Sequence, residues 1–158
     1  MDFMKYVGIA LVLLGLFLVF GCTEPEWKTY SDEKFSMTYP EGDVQQTEGD
    51  EVFKVMTQGC QVSVSKFENQ PSFDAFVTYI KSMWEDVNGL SLESEYIGGS
   101  VADFTVRATS EDVQYKGSIR IKGCDDDTIY VAMVGCGRDQ YDNNRAMVDK
   151  IIDSVECS

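Results

Sequence analysis

The chain has 158 residues, with 27 acidic against 13 basic side chains, no histidine and a formal net charge of −14. A field this acidic argues against nucleic acid as a partner and against direct docking on anionic lipid. The missing histidine excludes Ser-His and Cys-His nucleophiles, the commonest zinc and copper ligand, and a switch at physiological pH.

Residues 1–22 read MDFMKYVGIALVLLGLFLVFGC: Lys5 precedes an unbroken apolar run over 6–20 that stops at Gly21-Cys22. The run is shorter than the roughly 20 residues a bilayer span needs and suits the core of a secretory signal. Gly21 before Cys22, with Val19 three residues ahead of it, fits a lipobox; Phe20 stands where a small residue is usual, and Asp2 dilutes the positive flank. The reading is a lipoprotein signal over 1–21 with Cys22 as the lipid-bearing first residue of the mature chain. The alternative is an uncleaved membrane anchor. Either puts the remainder outside the membrane, tethered at its N-terminus. Two or more acyl chains hold such a protein stably, each buried methylene contributing about 0.8 kcal/mol. The remaining stretch, roughly 137 residues, is one ordinary domain with enough chain to bury a core.

Residues 22–33 are polar and read as a tether, with Trp27 and Tyr30 packing on the domain edge. The domain then spans 34–158. Apolar and polar residues alternate over 35–39, and Pro40-Glu41-Gly42 breaks the strand. Residues 43–50 read as a polar loop. Strands follow at 52–56 and 60–67, joined by the Gln58-Gly59 turn, as a hairpin with one wet side. Ser72 is the expected N-cap of a helix. In it Phe73, Phe76, Val77, Ile80, Met83, Trp84 and Val87 keep the 3.6-residue spacing of a core stripe, and Asn88-Gly89 ends it. Strands at 92–97, 102–108, 113–121 and 128–135 come next. The last is apolar on both sides, as a central strand covered on both faces would be. A helix over 139–155 closes the chain, with Tyr141, Val148, Ile151, Ile152 and Val155 on one face and Asp139 and Asp142 favoured in its first turn by the helix dipole. Short turns between neighbours make the sheet mostly antiparallel. The class is therefore α+β, a sheet covered by two main helices.

The five cysteines are Cys22, Cys60, Cys124, Cys136 and Cys157. With Cys22 lipidated, four remain for an oxidising compartment, and two disulfides follow. The competing reading, a four-cysteine zinc site, lacks any Cys-x-x-Cys pair. The last strand spans about 26 Å and the closing helix about 25 Å, so the helix returns Cys157 to the Asp125 turn, beside Cys124. That leaves Cys60 with Cys136. A Cys124–Cys136 bond would join opposite ends of one hairpin, beyond the roughly 7 Å that cysteine Cα atoms allow.

The stretch Tyr30-Ser-Asp-Glu-Lys-Phe35-Ser-Met-Thr-Tyr39-Pro40-Glu-Gly42 resembles the opening of PsbP-like domains, with their aromatic-x-x-x-Tyr-Pro strand and turn. The tail Met147-Val-Asp-Lys-Ile151-Ile-Asp-Ser154-Val155 resembles that family's last helix, and the order of elements between is similar. Many relatives carry Trp shortly after the Tyr-Pro turn, where this chain has Gly42 and Asp43. The resemblance implies an α/β/α sandwich acting as a non-catalytic binding or accessory module. Metal roles proposed through histidine in such relatives have no counterpart in this chain, and no cofactor is implied.

Candidate chemistry is sparse. Asp125, Asp126 and Asp127 are hard oxygen donors that would suit Ca²⁺ or Mg²⁺, although the Asp-x-Asp-x-Asp-Gly loop is absent and a solvated hairpin turn explains them as well. Glu93, Glu95, Glu111 and Asp112 would make a glycosidase pair only if held facing across a cleft. The glycines at 98–99 and 135–137 match no phosphate-cradling loop. The function expected is a surface-anchored accessory module, bound to the membrane through its N-terminus and to an unidentified protein partner. A divalent-cation-responsive module and a carboxylate hydrolase are the alternatives.

Overall fold

The computed structural model describes residues 24–158. The expectations placed on 1–21 and on Cys22 lie outside these residues.

Among the described residues, ten strands and three helices follow the order β1 (Trp27–Asp32), β2 (Phe35–Pro40), β3 (Asp43–Val44), β4 (Glu51–Thr57), β5 (Cys60–Phe67), α1 (Phe73–Glu85), β6 (Leu90–Gly98), β7 (Val101–Ser110), β8 (Val113–Gly123), β9 (Ile129–Gly137), α2 (Arg138–Asn143), α3 (Arg145–Asp153) and β10 (Glu156–Cys157). A seven-stranded sheet runs β3-β4-β5-β9-β8-β7-β6, and a three-stranded sheet runs β1-β2-β10. Every described pairing is antiparallel.

β9 sits fourth of seven, and its two-sided apolar run feeds two cores. Tyr130, Ala132 and Val134 point into one, with Phe35, Met37, Val148 and Ile151 from the small sheet and α3. Ile129, with Val131 and Met133 partly buried, points into the other, against Phe76, Val77 and Trp84 of α1. The period-2 pleat makes this division, because successive side chains leave opposite faces. The result is an α/β/α arrangement: α1 on one face of the large sheet, α3 with the small sheet on the other. Ser72 caps α1, its hydroxyl accepting the Ala75 N–H at 3.1 Å.

Four elements differ from the sequence reading. Trp27–Asp32 is a strand, not part of a tether. Its tyrosine decides this, since Tyr30 stacks on Phe53 with centroids 4.6 Å apart while the outer side stays wet. Asp43–Val44, read as loop, pairs with Val55 and Met56. The closing helix is two helices, interrupted at Asn144. Asparagine competes for backbone hydrogen bonds, and the Asn144 side-chain amide donates to the Gln58 carbonyl at 3.2 Å. Finally, Glu156–Cys157 pairs with Ser36 and Phe35, a two-residue strand too short to show a period.

Candidate functional site

The face of the large sheet that carries Tyr130 and Val134 is apolar over β4, β5 and β9 but polar over β6, β7 and β8. Alternation puts Asp103, Thr105 and Arg107 of β7, and Lys116, Ser118 and Arg120 of β8, side by side there. α2 and α3 border this half without covering it, leaving a cleft of about 330 Å³ lined by residues including Tyr96, Asp103, Ser118, Arg120, Arg145 and Asp149.

Its charges are interleaved. The Arg120 guanidinium meets Asp103 twice, Nε to Oδ1 at 2.7 Å and a terminal nitrogen to Oδ2 at 2.8 Å, and donates a third bond to the Ile152 carbonyl at 2.7 Å. Asp103 thereby holds the guanidinium more firmly protonated than usual. At the other end Glu93 pairs with Arg107 and, at 3.3 Å, with Lys116. The Lys116 ammonium lies 4.9 Å above the Tyr141 ring, whose hydroxyl bonds Ser118 Oγ at 2.6 Å. These groups can hold a polar or charged partner by paired donors and acceptors. The Ser118 hydroxyl is engaged by a phenol, not by a base that would activate it.

The carboxylates singled out in the sequence are not assembled into one site. Asp125 pairs with Lys34, and its Oδ1 accepts the Thr128 N–H at 2.7 Å and the Asp127 N–H at 3.3 Å. The lysine contact, followed by these backbone donors, holds its carboxyl well below the usual range. Asp127 accepts from the Thr128 hydroxyl at 3.0 Å. Asp125 therefore organises a turn next to Cys124. Among the described residues, no group of three or more Cys, Asp or Glu side chains could hold a metal ion. Glu93 and Glu95 leave opposite faces of β6, Glu95 pairing with Lys81 of α1 at 2.6 Å. Glu111 and Asp112 form the β7–β8 turn, at φ 50° and 66°. No two of these four face each other across a cleft.

Sulfur–sulfur bonds join Cys60 to Cys136 at 2.05 Å and Cys124 to Cys157 at 2.15 Å. Arg120 and Asp103 were invisible as a pair in the sequence, because their meeting depends on the β7–β8 register, where they sit directly opposite.

A second buried polar contact makes stability depend on pH. Tyr130 is 0% exposed, stacks on Phe35 at 4.6 Å and donates to Asp32 Oδ2 at 3.1 Å. Burial, then that bond to a carboxylate, pushes its phenol up to about 12. A raised phenol stabilises the fold fully below the unfolded value near 10, and this contribution is lost as pH rises from there towards 12. The urea midpoint of the wild type should fall between pH 9.5 and 11.5, and by less in Tyr130→Phe. Equal falls in the two proteins would refute the assignment.

The fold can now be set beside known ones. No family model matches the chain, and neither does any curated protein. Among solved structures, the cyanobacterial PsbP (CyanoP) of Synechocystis superposes with a TM-score of 0.58 at 14% identity, over 87% of this chain and 96% of that one. The fold is PsbP-like. PA94, a protein of unknown function from Pseudomonas aeruginosa, aligns with a TM-score of 0.51 at 10% identity, over 77% of this chain and 90% of that one. LpqN, involved in cell envelope biogenesis in Mycobacterium tuberculosis, aligns with a TM-score of 0.49 at 8% identity, over 88% and 87%. In the PsbP-like arrangement the Tyr39-Pro40 end of β2 closes one core, Tyr39 packing on Phe53 with centroids 4.8 Å apart. Ser154, in the tail motif, fastens α3 to the small sheet by accepting the Thr38 N–H at 2.9 Å. The two motifs that suggested the family from sequence are thus packing devices that touch each other.

Proposed function

We propose that this protein is a lipid-anchored, non-enzymatic accessory module, its PsbP-like domain held at the outer face of the cytoplasmic membrane to bind a partner there. The observation that carries the reading is the conjunction of an export-type N-terminus ending at Gly21-Cys22 with two disulfides in the domain behind it. Disulfides persist in oxidising, extracytoplasmic compartments. None of the helices among the described residues is long and apolar enough to cross a membrane, so on this reading the attachment is N-terminal.

The geometry suits that attachment. Glu24 and Trp27 lie beside Gln58, at the β4–β5 turn. The β6 edge lies five strand spacings from β4, about 24 Å away, and the polar half of the sheet adjoins it. A tether at one edge leaves the other open to a partner.

Detergent-phase partitioning and intact mass of the wild type and Cys22→Ser test this. The wild type should enter the detergent phase with acyl mass on Cys22, and the variant should lose that mass and stay aqueous. Intact chain in the cytosol with every thiol open to alkylation would overturn the proposal. Ca²⁺ should leave the melting temperature unchanged; a rise would favour the cation-responsive alternative at Asp125–Asp127.

A further inference from the structure

Among the described residues, the free edge of the large sheet is β6, a nine-residue strand whose residues Ser91 to Ile97 are all exposed. The opposite edge is β3, only two residues long. A strand of nine residues offers an outer row of unpaired N–H and C=O groups about 30 Å long. Beside it, between α1 and the sheet, lies a narrow crevice of about 110 Å³ lined by Trp84, Leu90, Leu92 and Val106 together with Lys81 and Glu85. Leu92 is 44% exposed and Ile97, on the same face, 46%. A helix running beside an open edge strand, with an apolar slot between them, is the geometry by which an extended peptide is bound: main-chain bonds supply affinity and the slot reads a side chain.

We infer that β6 is a docking edge for an extended, basic segment of a partner protein, which adds as an eighth strand and seats one apolar side chain between Trp84 and Leu92. Charge selects the occupant. Glu93 is already paired with Arg107 and Lys116, and Glu95 with Lys81. Glu85 on the slot wall and its neighbour Asp86 enter no ion pair among the described residues, and the whole chain carries −14, so lysine or arginine on the incoming strand meets complementary charge there.

A second copy of this chain is the poorer occupant. Antiparallel self-pairing centred on Glu93, Ser94 or Glu95 sets glutamate opposite glutamate, which is destabilising across a strand pair. Each copy also carries −14. The bulge between Leu92 and Ser94 works with the slot. It shifts the alternation by one, so that Ile97 returns to the crevice side with Leu90 and Leu92, while Glu93 meets Arg107 and Lys116 on the polar face.

This inference rests on the accessory-module reading for its physiological partner, but it fails separately, because the test below does not depend on Cys22. The full chain in detergent is panned with random nonapeptides, and the enriched sequences are mapped by hydrogen exchange. Enriched peptides should carry Lys or Arg with one Leu, Ile or Phe, and should slow exchange of the outward β6 amides at least tenfold. Methylating alternate peptide nitrogens should weaken binding at least tenfold, as should Leu92→Asp, whose unchanged melting temperature would report an intact fold. Four outcomes would each overturn the inference: no enriched peptide; protection confined to another segment; self-association through β6; or affinity indifferent to N-methylation.

Discussion

Replacing Cys60 and Cys136 together by alanine should lower the melting temperature by about 15 °C. The two residues lie directly opposite each other on β5 and β9, their Cα atoms 4.3 Å apart. Both are buried in the first core, at 0% and 3% exposure. The strands are already hydrogen-bonded in the folded state, so the bond acts mainly on the unfolded chain. It closes a loop of 76 residues, and the chain-entropy estimate for such a loop is about 4.5 kcal/mol. A domain of this size loses about 3–4 °C for each kcal/mol. Cys124–Cys157 closes only 33 residues, for which the same estimate is about 3.7 kcal/mol, and it ties down a two-residue terminal strand. The Cys124→Ala/Cys157→Ala protein should therefore melt higher than the Cys60→Ala/Cys136→Ala protein. Both should keep the wild-type far-ultraviolet circular dichroism at 25 °C. Calorimetry on the two double variants checks the order, and a reversed order would mean that the loops are constrained by residual structure in the unfolded chain. Non-reducing peptide maps of the wild type should yield these two cross-linked pairs, and a Cys124–Cys136 peptide would contradict the topology.

Those pairs are the ones to which the lengths of the last strand and helix lead, which shows what kind of information the sequence carries. Period and length were legible. Of the 3.6-residue stripe from Phe73 to Val87, capped by Ser72, the part to Trp84 lies on α1, which ends at Glu85, while Met83 and Val87 are exposed instead of in the core. The alternation over 102–108 and 113–121 is β7 and β8, and the two-sided run over 129–134 is the central strand. In each, a hydrophobic pattern long enough to repeat decides the element. Short and polar pieces were not legible. Trp27–Asp32 is stabilised by Tyr30 on Phe53, a contact made across two sheets. Glu156–Cys157 is held by a disulfide and two residues of pairing. The break at Asn144 depends on the Gln58 turn, which lies 86 residues away in the chain. The candidate sites were the least legible of all. The acids that stand out in the sequence, Asp125 to Asp127, are a turn with its own lysine. The groups that matter on the polar face, Asp103 and Arg120, are 17 residues apart and become partners only once a register is fixed. The slot beside β6 exists only when a helix is laid on a sheet.

Arg120 gives the second large effect. Its side chain links β8 to β7, through Asp103, and to the end of α3, through the Ile152 carbonyl. That carbonyl lies in the last turn of α3, where it also accepts the Val155 N–H at 3.2 Å and where a cation is favoured by the helix dipole. Arg120 and Asp103 are largely shielded, at 17% and 30% side-chain exposure. Arg120→Ala therefore removes three charge-assisted bonds and leaves the half-buried Asp103 carboxylate without its cation. Loss of one member of such a pair costs more than the pair is worth, and about 2–3 kcal/mol is expected, or roughly 8–10 °C of melting temperature. Arg120→Lys cannot form the two-pronged contact and should recover only part of the loss. The double variant Arg120→Met/Asp103→Leu separates the two causes. If the penalty comes from the stranded carboxylate, the double variant should be more stable than Arg120→Ala despite lacking both charges. If it is equally unstable, the tie to Ile152 is what holds α3 against the sheet. Hydrogen exchange at the α3 amides distinguishes these outcomes directly, because only loss of the tie loosens the helix while leaving β7 and β8 protected.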